Sequence, residues 1–343
     1  ARAVCLGIFL MSNINICAQD AYLALYPQSK KPVGINWHDE GTSQEQALAT
    51  NGNLGLLLGP KSDVMDVDLD CREAKGLAEL ILPKPFAQFD RGTSDSGHYL
   101  YRAITCGPTK RFPGNGSKST LVELRGDGSQ TMIPPSIHPD GSRLNFTDIN
   151  QDAPEVEYAD LLKSVSLLAA CSEVAQLWVS GRRHELALSF SGLCLKQNVD
   201  PQLLINIIQR ICQTTGDRDE QDRMNCVRTS VGKPHDELRG YQGLVDCIGK
   251  AVAERIAKLI GIYCGTEERS LSVVKEAEAE VINFGRFTDG ANVTEAKLGE
   301  TFGQWLDGKA VYVVQTGQWM IWNGASWRGD ECGLMTKFAF NFI

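Results

Sequence analysis

The sequence predicts an α+β protein in three consecutive parts. A mixed-sheet domain with flanking helices spans residues 11–158, an all-α helical bundle follows over 159–265, and a tail over 266–343 holds a linker and a small β meander. Three observations predict this. Short β-type runs separated by Gly, Pro and Asn turns fill the first part. Apolar residues recur at helical spacing after about residue 158. Two turn signals, Thr316-Gly317 and Asn323-Gly324, punctuate an aromatic-rich stretch near the end.

In the first part, Ala18 to Leu25 reads as a short helix, followed by the loop Pro27-Gln-Ser-Lys-Lys-Pro-Val-Gly34. Leu54 to Leu58, closed by Gly59-Pro60, reads as a buried strand. In Asp63-Val-Met-Asp-Val-Asp-Leu-Asp70 acidic and aliphatic residues alternate, so Asp66, Asp68 and Asp70 share one strand face. Cys71 to Leu82 predicts a helix, and strands are predicted at Gly97–Arg102, Thr120–Leu124 and Gln130–Ile133. In the second part, Asp200-Pro201 is a helix start, Leu204, Ile207, Ile208 and Ile211 line one face, and Gly216 ends it. Leu244, Ile248, Val252, Ile256 and Ile260 repeat every four residues. The charged stretch 266–280 reads as a linker or a solvated helix. In the tail, Ala310–Gln315, Gln318–Trp322 and Ala325–Trp327 predict the meander.

Composition narrows the function classes. With 43% hydrophobic residues the chain can bury a core, which excludes disorder, collagen and coiled coil. The 34 Lys and Arg against 42 Asp and Glu leave −8, so a polynucleotide partner must be held in a local groove. The longest apolar run, Ala3 to Met11, is far short of the roughly 20 residues of a membrane span. Behind Arg2 it imitates a secretory signal, but Met11-Ser-Asn reads as a natural start with residues 1–10 upstream of it. The 11 cysteines, an odd count without a Cys-x-x-C pair, favour that second reading, with buried reduced thiols and a cytoplasmic location. The five histidines are not clustered with cysteines at ligand spacing, so zinc is not expected.

Three clusters carry chemistry. The carboxylates of Asp66, Asp68 and Asp70 repel at a cost of several kcal/mol per pair at about 4 Å in a protein-like dielectric, so a cation is expected among them. Oxygen donors without His or Cys suit Mg²⁺ or Mn²⁺. The bland alternative is an exposed edge strand kept soluble by Asp. Ser94-Asp-Ser-Gly-His-Tyr-Leu-Tyr101 places Ser96 and His98 on one side of a strand start, with Gly97 between them to let backbone approach a ligand. Glu123 and Arg125 share a strand face in Val122-Glu-Leu-Arg-Gly-Asp-Gly128, ahead of Pro134-Pro-Ser-Ile-His138. Alone, that last cluster is an ordinary hairpin with a surface ion pair.

The ordered set Asp66-Val-Asp68, Ser96-Gly-His98, Glu123, Gly-Asp-Gly128 and Pro-Pro-Ser-x-His138, over residues 25–146, resembles the bifunctional primase-polymerase domain of the archaeo-eukaryotic primase superfamily, in its phage and plasmid form. The resemblance implies an RRM-like catalytic domain over 11–158 and a DNA primase/polymerase that makes and extends primers on a single-stranded DNA template from dNTP or NTP. It implies Mg²⁺ or Mn²⁺ held by Asp66, Asp68 and Glu123, with Asp127 a nearby alternative to Glu123. Asp66, Asp68, Glu123 and His98 are the implied catalytic residues, and Ser96, His98, Arg125, Ser136, His138 and Lys30 would hold the triphosphate. Lys110, Arg111 and Lys118 are candidate contacts to nucleic-acid phosphates. The cytoplasm of a bacterium or virus-infected cell is the implied location.

Phe287-Thr-Asp-Gly290, Gly317–Gly324 and Trp327 resemble the opening of a poxvirus-type primase-helicase region, implying a helicase domain in cis beyond residue 343. Trp305, Trp319, Trp322 and Trp327 read first as meander core and second as base-stacking platforms. No Gly-x-x-x-x-Gly-Lys-Ser/Thr motif occurs, so unwinding is not expected of this chain. Two other readings stay open: a catalytically silent replication-initiation or scaffold protein that binds DNA and a helicase partner, and another Asp-x-Asp transferase such as a glycosyltransferase.

Overall fold

A computed structural model describes residues 16–17, 20–38, 41–92, 95–114 and 120–266, and the backbone of 310–313, 318–322 and 327–329. The chain divides into two units, Ala1–Glu267 and Glu268–Ile343.

The first unit opens with a three-stranded antiparallel sheet of β1 (Tyr22–Leu25), β2 (Asn53–Leu57) and β8 (Gln130–Ile133) in the order β1-β2-β8. The predicted helix at Ala18 to Leu25 is therefore replaced by strand β1. Eight residues are too few for a helix to be stable by local pattern alone, and pairing of Tyr22–Leu25 against β2, from Tyr22 opposite Leu56 to Leu25 opposite Asn53, satisfies the backbone instead. Helix α1 (Gln44–Leu48) between them starts on a capping box formed by Ser43 and Gln46.

The second sheet holds β3 (Val64–Leu69), β4 (Ala87–Asp90), β5 (Gly97–Thr105), β6 (Lys110–Pro113), β7 (Thr120–Arg125) and β9 (Asn145–Ile149) in the order β6-β7-β3-β5-β4-β9, with β10 (Val156–Glu157) parallel to β5. Strand β3 lies between β7 and β5, both antiparallel to it. It is interior, so its aspartates do not serve to protect an edge.

Period-two alternation decides what each face of this sheet meets. Met65, Val67, Leu69, Tyr99, Tyr101, Val122 and Leu124 point into a cluster shared with α2 (Arg72–Ile81) and α3 (Tyr158–Gln176). On the opposite face, Val64, Phe89 and Leu100 pack with Leu25, Leu54, Leu56 and Met132 of the small sheet. The acidic positions Asp66 and Asp68 belong to this second face, between the two sheets.

Helices α4 (Arg183–Lys196), α5 (Pro201–Thr215), α6 (Glu220–Arg228), α7 (Gly240–Ile248) and α8 (Lys250–Cys264) extend the first cluster, which runs unbroken from the sheet to Ile260. In α5 the Asp200 carboxylate accepts from Leu203 N at 2.7 Å, Pro201 occupies the first turn, and Gly216 closes the helix at φ +70°. The four-residue repeat from Leu244 to Ile260 reads through a break: Gly249, at φ +83°, separates α7 from α8. In the second unit, β11 (Ala310–Val313), β12 (Gln318–Trp322) and β13 (Trp327–Gly329) pair antiparallel in sequence order. Residues 1–10, Lys118, the Phe287–Gly290 motif and Trp305 lie outside the described residues. Among the described residues no helix is long and apolar enough to cross a membrane, and the nine described cysteines are free thiols.

One buried charge ties the helices together. Glu173 of α3 is wholly buried, and Arg255 Nε of α8 donates to both its oxygens at 3.0 Å. Removing the arginine alone strands a carboxylate without water. Arg255→Ala should therefore cost about 3 kcal/mol in denaturant unfolding, while replacing both residues by Met should restore most of the loss.

Candidate active site

Sheet register assembles the site. Asp68 on the central strand β3 stands directly opposite Glu123 of β7 on one side and His98 of β5 on the other. Arg111 of β6 extends the row beyond Glu123, and Phe89 of β4 extends it beyond His98. One step along the strands, Asp66 faces Arg125. Directly opposed residues of an antiparallel pair share a face, so these side chains are brought together by backbone pairing. Like charges opposite one another destabilise a sheet, as Asp68 and Glu123 do here, unless a cation answers them.

Arg125 supplies that charge. Its guanidinium bonds Asp68, donates from Nε to Glu123 at 3.0 Å and reaches Asp66 at 3.9 Å. Arg111 adds a bond to Glu123 at 3.2 Å. Asp66 and Glu123 therefore converge on one cation. Asp66 is the deepest of the acids, at 0% exposure, and accepts from His98 Nδ1 at 3.0 Å. Burial alone would raise the Asp66 carboxyl, but His98 and Arg125 overcome it and hold it below the usual range. Against the burial that would lower it, Asp66 and Asp68 raise the His98 pKa. His98 Nε2 lies 3.6 Å from Asp68, and the ring stacks on Phe89 at 4.5 Å between centroids.

Asp68, Asp70 and Glu123 form the set able to grip an ion, with one oxygen of each within 4.8 Å of the others. Asp68 and Glu123 are buried, while Asp70, just past the end of β3, is exposed. Desolvation and then the neighbouring Asp68 charge push the Asp70 carboxyl up to about 6. All three donors are hard carboxylate oxygens, which fit Mg²⁺ or Mn²⁺ and do not suit a soft metal. Asp66 stands behind this set, on His98. Asp127 sits on the exposed turn after β7, its amide donating to Gly107 O, and does not join it.

A cleft opens in front of the acids. Lys30, Ser96, His98, Arg125 and His138 line it, with Asp68 and Asp70 on its floor. Ser136 is not among its walls: the buried hydroxyl accepts from Leu54 N at 2.8 Å and donates to Leu54 O at 3.2 Å, clipping its loop to β2. Two charged lining residues, Asp90 and Arg91, escaped the sequence reading. Arg91 bonds Asp140 at 2.7 Å and lies 3.3 Å from both the Ser96 hydroxyl and His138 Nδ1, so it joins the two histidine-bearing segments. Asp90 bonds Lys75 at 2.7 Å. Nothing in the residue pattern at the end of strand β4 marks either one.

Asn53 was also missed. Its buried amide donates to Ser29 O at 3.1 Å and Ile137 O at 2.7 Å and accepts from Ile137 N at 2.9 Å. One side chain thus holds the loop carrying Lys30 against the loop carrying His138.

Residues 16–158 match the model of the family described as bifunctional DNA primase/polymerase, N-terminal. That match supports an enzyme domain of the nucleotidyltransferase type that acts on DNA and nucleotides. No curated protein compared with the chain matches it.

Asn53→Ala should cost about 1–3 kcal/mol in unfolding, because three half-buried backbone groups lose their bonds, and should weaken nucleotide binding measured by calorimetry without moving an acidic residue. The raised Asp70 carboxyl makes a signed prediction. The folded chain keeps a proton there that the unfolded chain releases between about pH 4 and 6, so ionisation of Asp70 opposes folding above pH 6. Asp70→Asn should stabilise the metal-free protein at pH 7.5, by less than about 1 kcal/mol because solvent screens the group, and leave its stability at pH 4 unchanged.

Proposed function

We propose that the chain is a metal-dependent, template-directed nucleotidyltransferase that synthesises and extends primers on single-stranded DNA from dNTP or NTP. The observation that carries this reading is the convergence of carboxylates from β3 and β7 beside a cleft walled by Lys30, Arg91, Arg125, His98 and His138. Such a cleft is built for a ligand with several negative charges and for the cations that accompany it.

In this reading Asp68, Glu123 and Asp70 hold the divalent ion, with Asp66 as the buried partner of His98. When bound, Mg²⁺ or Mn²⁺ supplies activation of the primer 3′-hydroxyl and stabilisation of the leaving pyrophosphate. The chain's own residues then have distinct tasks. His98, fixed by Asp66 on one side and Phe89 on its face, presents Nε2 to the triphosphate. Arg125 carries charge between the acids and the cleft, and Arg91 and Lys30 neutralise phosphate oxygens at its walls. Ser136 takes a positioning role, through Leu54, in place of direct contact with the triphosphate. Arg111, on the sheet edge beside Glu123, remains a contact for nucleic-acid phosphate. The tail after residue 266 is proposed to connect to a helicase partner in cis.

One observation favours the metal-free alternative of a silent, DNA-binding scaffold: Arg125 already sits in ion-pair contact with all three sheet acids. The two readings separate on metal and nucleotide binding. A catalytic site binds Mn²⁺ and dNTP in calorimetry at micromolar to millimolar levels, and a scaffold binds neither.

Primer extension should stop when the medium is stripped of divalent ions with a chelator and return with Mn²⁺. Asp68→Ala and Asp66→Ala should each lower dNTP incorporation by at least about 10²-fold, with the far-ultraviolet circular dichroism unchanged. Retained incorporation in both variants overturns the proposal. Extension assays with and without a preformed primer, comparing dNTP with NTP, assign the substrate.

A further inference from the structure

We propose that His184, Asp222 and Cys226 form a second metal site, distinct from the carboxylate cluster, for a borderline-soft divalent cation of which Zn²⁺ is the natural choice. The sequence separates His184 from Cys226 by 42 positions, which is why histidine and cysteine do not cluster along the chain. The fold brings them together. Asp222 and Cys226 are one helical turn apart on α6, and His184 lies in the first turn of α4, packed against it.

The donor atoms are gathered at one place, with His184 hydrogen-bonded to Asp222. His184 Nδ1 is 2.8 Å from an Asp222 oxygen and 3.8 Å from Cys226 Sγ, and one donor from each of the three residues lies within 4.8 Å of the others. A tetrahedral zinc with nitrogen and oxygen at about 2.0–2.2 Å and sulfur at about 2.3 Å needs donor separations of roughly 3.4–3.6 Å. Opening the His184–Asp222 hydrogen bond and drawing Cys226 inward, shifts of up to about 1 Å that side-chain rotation can supply, would complete three of the four positions. The fourth faces solvent, because His184 and Asp222 are each about half exposed, at 51% and 48%, while Cys226 is buried behind them. Mixed sulfur, nitrogen and oxygen donors select against Mg²⁺ and for zinc.

The neighbouring charges are defined. Arg223 bonds Asp222 and also Asp217 and Asp219, so it orients the Asp222 carboxylate and leaves the nearby acids paired. Binding converts the Cys226 thiol to thiolate, one Zn–S bond forming as one proton is released to solvent. The ion would pin the start of α4 to α6, independently of nucleotidyl transfer.

Titration of the full chain with Co²⁺ in excess Mg²⁺, which fills the oxygen-only site, tests this. One equivalent should give a sulfur-to-cobalt charge-transfer band in the near ultraviolet, displaced by Zn²⁺, and Zn²⁺ should raise Tm by at least about 2 °C. Cys226→Ser should abolish the band, and His184→Ala, at an exposed position that does not threaten folding, should weaken Co²⁺ binding at least tenfold. Absence of the band in the unmodified chain, or its persistence at full affinity in either variant, overturns the proposal.

Discussion

Repulsion among carboxylates is the constraint on which this site depends. Asp68 and Glu123 are placed opposite one another by backbone pairing that neither can escape, and Asp66 is sealed beneath them. A sheet with that arrangement folds only with cationic groups threaded through it. Arg125 and His98 supply them from the two strands that flank β3. The same groups that make the acids tolerable in the folded chain also line the cleft.

The rest of the unit serves to keep this charge balance fixed. One face of the large sheet is anchored on helices through Met65, Val67 and Leu69, so β3 has no freedom to slip by one residue without burying its acids in hydrocarbon. The small sheet covers the other face and supplies the cleft with loops. Asn53 and Ser136 fasten those loops to β2 with buried hydrogen bonds, setting the positions of Lys30 and His138 from beneath.

Much of the site was legible in the sequence because it is written in strand alternation. Asp66-Val-Asp68 and Glu123-Leu-Arg125 each declare a polar face by period two, and Ser96-Gly-His98 sits at a strand start. Register was not legible: nothing in the sequence says that Asp68 meets both Glu123 and His98, or that Asp66, of the three acids sharing its strand face, turns to an imidazole while Asp68 and Asp70 gather with Glu123. Ser136 enters the candidate set through the family resemblance, and its sequence position carries no mark of the buried bonds that tie its hydroxyl to Leu54. Arg91 and Asn53 were invisible for the converse reason, since their roles arise from contacts with segments tens of residues away. The helix expected at Ala18 to Leu25 failed where pairing with β2 outweighed local pattern, and the break at Gly249 was hidden by an apolar repeat that continues across it.

The stack of Phe89 on His98 decides how the imidazole is presented to the cleft. With one π-face covered at an interplanar angle of 8° and Nδ1 held by Asp66, the ring can neither turn nor slide, and its other face and its Nε2 edge are what remain. The sheet thereby carries one imidazole as a rigid fitting, whose aim is set by an aromatic wall and a sealed carboxylate.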